Sequence, residues 1–264
     1  MAAATVTIAI ARMTVADSLR QPATWLATAI AVVLVGLSWV FGMFNFDDQD
    51  RLRMLATAGV AVAVINGLFL AVTGAAASVH DELADRTALT LFAKPVPRGS
   101  FLAGKAIGIW LTVAVASLVV LAAHLFGLWL AQATGFELGH DEHHHGADSN
   151  LTVPWTAVLA AHALALCHSA TLVALASVLA LRCSLVVNIL LCFGIFLAGH
   201  LLAGAGVQGA GLIPALALFN LDDAIQLGTG VSGQYLALTG LYTALFATGW
   251  VLVGAALLDR QDIR

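Results

Sequence analysis

Eight ionisable or metal-ligating side chains crowd into one short stretch, Phe136 to Asn150. They are Glu137, His140, Asp141, Glu142, His143, His144, His145 and Asp148. Neutral imidazoles beside carboxylates suit Zn²⁺, Cu²⁺ or Ni²⁺, and His140 with His143 or His144 has helical ligand spacing. The order is not His-Glu-x-x-His, so no metalloprotease signature is present. The stretch reads either as a polar loop that happens to be His-rich or as a weak transition-metal capture site on His140, His143, His144 and His145. A second cluster, Ser78 to Lys105, holds His80, Asp81, Glu82, Asp85, Arg86, Lys94 and Arg98, with Pro95 and Pro97 near its centre. Glu82 and Arg86 form an i, i+4 pair, while Ala84, Ala88 and Leu91 share an apolar face. Ser78 to Phe92 is therefore expected to be a short amphipathic helix that the prolines end.

Four more histidines, His124, His162, His168 and His200, lie in apolar surroundings, where an ionisable group is a functional candidate. Counted from the ends of their segments at about 1.5 Å per residue, the first, second and fourth sit at a similar depth of roughly 7 to 15 Å. They could form a polar path, or simply bond across helices as Asn66 and Asn188 are expected to do. Gly99-Ser-Phe-Leu-Ala-Gly104-Lys105 imitates the first seven positions of a phosphate-binding loop. The eighth is Ala106, so the Mg²⁺-binding hydroxyl is missing, and the stretch follows prolines instead of a strand. No nucleotide site is expected in this chain. Cys167 and His168 are neighbours and point about 100° apart on a helix, so they form no nucleophile and base pair. No catalytic residue is assigned, and the chain is not read as an enzyme.

The elements that must position these residues follow from composition. Of 264 residues 61% are apolar and 10% charged, and the mean hydropathy is +0.96, which excludes a water-soluble globular domain. A formal charge of -4 gives no basic excess for nucleic acid. All Asp, Glu, Lys and Arg fall outside six apolar stretches at 26–44, 55–77, 106–134, 155–181, 185–204 and 235–258. Each is long enough to cross a hydrocarbon core of about 30 Å as a helix. The fold class is therefore an all-α integral membrane protein in a single domain, 1–264, with the third span long enough to tilt or project.

Residues Ala2 to Trp25 are expected to lie at the interface as a helix, with Arg12, Ala16 and Arg20 on one line. They lack the order of a cleavable signal peptide. Leu212 to Leu221, after a glycine-rich break and carrying Pro214, is too short to cross. It should be re-entrant or interfacial, lining or capping something, because irregular backbone at membrane depth needs cover. Nine of the eleven Lys and Arg fall on the side of the termini, which places both termini in the cytoplasm. Cys167, Cys183 and Cys192 have neither disulfide nor metal spacing and read as reduced packing residues.

Three separated pieces resemble the permease subunits of ABC-2 type transporters, and most closely the multicopper enzyme maturation (NosY-like) branch. They are Ile10-Ala-Arg-Met-Thr-Val-Ala-Asp-Ser-Leu-Arg20; Glu82-Leu-Ala-Asp-Arg-Thr87 with Leu91-Phe-Ala-Lys94-Pro95-Val-Pro-Arg98 and Gly104-Lys105; and Leu212 to Asp222 with the tail Asp259 to Arg264. The resemblance implies a permease of a bacterial inner membrane that moves an unidentified substrate. A separate ABC ATPase subunit would bind ATP and Mg²⁺, and a second permease copy would complete the assembly. Glu82, Asp85, Arg86, Thr87, Lys94, Pro95 and Arg98 would couple the chain to that ATPase. The alternative is a metal-handling membrane protein that uses the outer loop and the intramembrane histidines without an ATPase.

Overall fold

The structure, a computed structural model, describes residues 3–41, 47–85, 97–136, 151–204 and 214–260. Among these, every regular element is helical. The main helices are α1 (Ala3–Arg20), α2 (Pro22–Ser38), α3 (Asp48–Ala84), α4 (Arg98–Thr134), α5 (Trp155–Leu179) and α6 (Leu185–Gly204). A 3-10 turn (Leu216–Phe219), the short α7 (Asp222–Leu227) and α8 (Gly233–Asp259) complete the described fold. Five of the helices, α3, α4, α5, α6 and α8, are long and apolar enough to cross a membrane. The count is six if α1 and α2, bent by 65°, are taken together as one span.

That bend is written in Pro22, which lacks an N–H and clashes with the carbonyl four residues back. The carbonyl it displaces, that of Ser18, accepts from Gln21 N at 3.2 Å and from Thr24 Oγ1 at 2.9 Å. Leu19 O accepts from Trp25 Nε1 at 2.7 Å. The corner is thus satisfied locally, and Trp25 belongs to the start of α2, not to the interfacial helix expected over Ala2 to Trp25. The apolar helix begins at Pro22, earlier than expected, and ends at Ser38.

α1 lies along α4 with Ile10, Ala11, Thr14 and Ser18 buried, while Arg12, Ala16 and Arg20 face outward. The close approach comes from Gly104 and Gly108. A Cβ on Gly104 would meet Ile10 Cβ at 2.7 Å and Thr7 O at 2.9 Å, and one on Gly108 would meet Ala11 O at 2.8 Å. This is the small-xxx-small arrangement that lets apolar helices pack without a hydrophobic drive between them. Gly104 also belongs to the loop-like Gly99–Lys105 stretch, which is helical from Arg98 onward.

Of the helix expected over Ser78 to Phe92, the part up to Ala84 does not stand apart from the preceding span. α3 continues through a π turn, Ala76–His80, to Ala84, because nothing in Ala-Ala-Ser-Val-His breaks a helix and one wide turn absorbs the extra residue. Residues 86–96, including Arg86, Thr87, Lys94 and Pro95, lie outside the described residues. α3 and α4 are each 37 residues long, about 55 Å at 1.5 Å per residue, so each overshoots a bilayer core of about 30 Å. α5 is the most enclosed helix, packed against α3, α4 and α8. By contrast α6 and α8 leave most of their apolar surface outward, including Leu190, Leu201, Leu245 and Leu252.

Candidate functional site

The two ends of the helix bundle are built differently, and the end near Glu82 is fastened. Lys105, on the third turn of α4, is buried, and its Nζ reaches Glu82 Oε1 at 2.5 Å. Its stem lies near the Phe101 ring, with Nζ 5.7 Å from the centroid. Burying an ammonium costs several kcal/mol unless a partner is supplied, and the projecting end of α3 supplies it. Leu83 packs inward on the core while Asp81, Ala84 and Asp85 remain exposed.

Two further ties surround this pair. His80 Nδ1 is 3.2 Å from Ala180 O at the end of α5. Arg98 Nη1 donates to Leu258 O at 2.6 Å and Asp259 O at 3.3 Å, placing a cation on the free carbonyls at the end of α8. Of the residues expected to couple to an ATPase, Glu82, Asp85 and Arg98 are therefore brought to one end of the bundle. Glu82 and Arg98 are occupied in holding helices together, and Asp85 presents itself outward. Lys105 and His80 were given no part in this coupling, although the missing partner of a lysine at the edge of an apolar run was a signal that could have found the first.

The four histidines within the helices fall into two groups. His124 on α4 is fully buried, with Nε2 3.1 Å from Leu55 O and Nδ1 2.8 Å from His162 Nε2. A carbonyl can only accept, so His124 Nε2 carries a proton; in the neutral ring Nδ1 is then the acceptor for His162 Nε2–H. Gly59 on α3 makes the room: a Cβ there would run into the His124 ring. This group has its bonds within α3, α4 and α5 and acts as helix glue. Asn188 Nδ2 does the same from α6, donating to Ala176 O at 3.0 Å, whereas Asn66 Nδ2, expected to do likewise, is buried with no partner among the described residues.

His168 and His200 instead line a cavity of about 160 Å³ between α3, α5, α6 and the 214–222 segment. The rings alternate with phenylalanines: His168 is 5.7 Å from Phe196 and 5.3 Å from Phe219, and Phe196 is 4.4 Å from His200. His168 is 2% exposed, yet its Nε2 has no hydrogen-bond partner. The irregular 214–222 segment forms one wall. Both tyrosines of the chain pin it to α8, Tyr242 Oη accepting from Ala215 N and Tyr235 Oη donating to Leu218 O, each at 2.8 Å. Leu216 packs on Gly199 of α6. The segment expected to line or cap something thus lines this cavity.

Glu137 to Asn150, with His140, His143, His144 and His145, lies outside the described residues. Among the described residues no three His, Cys, Asp or Glu side chains are arranged to hold a metal ion. The feet of that segment are fixed. Gln49 bonds both backbone groups of Thr152 at 3.0 and 3.1 Å, Gln132 Nε2 donates to Leu151 O at 2.9 Å, and Phe136 meets Trp39 edge to face and carries the Arg51 guanidinium over its ring. Comparison with protein-family models and with curated proteins finds no match to the chain.

Proposed function

We propose that this chain is the membrane-spanning permease subunit of an ABC-2 type transporter, with both termini in the cytoplasm of a bacterium and a separate ATPase subunit as its motor. The observation that carries the reading is the fastened end of the bundle. α3 and α4 overshoot the bilayer and are tied by Lys105 to Glu82, so a push on the exposed tip at Asp81 and Asp85 moves both helices together. Arg98 and His80 extend the connection to α8 and α5. Without such ties a load at the tip would dissipate in one helix end. An acidic, exposed tip also suits register-setting contacts with a basic groove.

The positive-inside distribution supports this side as cytoplasmic, and the outward apolar surfaces of α6 and α8 leave area for lipid and for a second permease copy. ATP and Mg²⁺ belong to the partner in this scheme, and the Gly99–Lys105 helix contributes nothing to nucleotide binding. Purification of the detergent-solubilised chain from its native membrane tests the scheme. An ATPase subunit is expected to accompany it in stoichiometric amount and to dissociate on Asp85→Lys with Asp81→Lys. Purification with no ATPase, or an unchanged yield with the charge-reversed tip, would overturn it.

A further inference from the structure

We propose that the cavity between α3, α5, α6 and the 214–222 segment binds a small organic cation with an apolar body about the size of one aromatic ring. The transport reading is needed only to call such a molecule a substrate; the site stands on its own geometry. At about 160 Å³ the space, open on one side, is large enough to take one aromatic ring. Its walls are aliphatic at Val64 and Ile65 and aromatic at Phe196 and Phe219.

Three polar features select the head group. His168 Nε2 is buried without a partner, a state that native folds rarely leave uncompensated; the same helix gives His162 its bond in the closed group. His200 bonds Phe196 O through Nδ1 at 3.0 Å, which makes Nδ1 the protonated nitrogen and leaves Nε2 of the neutral ring as an acceptor. Asp222 is the one formally charged residue among those lining the cavity, with no Lys or Arg beside it. A carboxylate, an imidazole acceptor and two aromatic faces all favour a positive head group. An anion would meet the Asp222 carboxylate and would lose its own hydration there.

The test uses the full-length chain in nanodiscs without any ATPase, so its failure leaves the transport reading untouched and the failure of ATPase co-purification leaves the site untouched. Saturable binding of benzylammonium, benzyl alcohol and benzoate is measured by saturation-transfer NMR against empty nanodiscs. Benzylammonium is expected to bind at least about tenfold tighter than benzoate, an advantage that Asp222→Asn removes. His168→Phe should weaken benzylammonium about fivefold. Ala61→Phe, on the outward rim of the cavity, should abolish saturable binding with thermal unfolding unchanged. Equal binding of benzoate, wild-type binding by Ala61→Phe, or signal no greater than that of empty nanodiscs would overturn the proposal.

Discussion

The fastened end and the cavity are made from the same residue types and use them in opposite ways. At the fastened end Lys105, Glu82, Arg98 and His80 each reach across to another helix, so these polar groups restrict motion. At the cavity His168 keeps an unpartnered nitrogen and Asp222 an exposed carboxylate, so the polar groups stay available. The difference teaches that a polar residue in an apolar helix carries no fixed meaning: its role depends on whether a second helix completes it. His162 and His168, six residues apart on α5, are the closest instance. One is closed by His124, and the other opens on the cavity.

The largest effect is expected from breaking the fastened end. Glu82→Ala leaves the Lys105 ammonium buried without this partner; because Glu82 is itself about one-third exposed, the expected loss is about 2 to 3 kcal/mol, read as a fall in thermal unfolding temperature. The exchange Glu82→Lys with Lys105→Glu should restore part of it. His162→Phe comes next: it strands His124 Nδ1 in the core and should cost about 2 kcal/mol. Tyr242→Phe frees the Ala215 N–H and should cost about 1 kcal/mol, loosening the 214–222 wall, which hydrogen exchange at that amide would register. His168→Phe sharpens the comparison most. Removing a nitrogen that has no partner should change stability by less than about 0.5 kcal/mol or raise it, in contrast to His162→Phe.

These contrasts also mark what the sequence could disclose. Apolar runs broken only by charges revealed the long helices, because crossing a bilayer needs length and little else. Pro214 marked the irregular wall, whereas Pro22, which makes the 65° corner, was passed over within a helix expected to run from Ala2 to Trp25, although proline removes a donor wherever it stands. Glu82 was read with Arg86, four residues on and outside the described residues; among the described residues the fold also brings it Lys105, 23 residues away, and such long-range pairing has no local trace. Depth along separate helices grouped His200 with His124 and His162, yet depth says nothing of azimuth, and His200 faces the cavity with His168. Gly104 was read as part of a likeness to a phosphate loop, whereas together with Gly108, one turn on, it lets α1 approach α4.

The account turns on the tip of α3 receiving force from a nucleotide-driven partner. The most direct measurement is the ATP hydrolysis rate of the partner ATPase mixed in excess with the chain in nanodiscs, compared between the wild-type chain and Asp85→Lys combined with Asp81→Lys, with thermal unfolding recorded in parallel. The account predicts that the wild-type chain stimulates hydrolysis and that the altered tip loses the stimulation while the fold's stability stays within about 0.5 kcal/mol. Equal hydrolysis with either chain would contradict it.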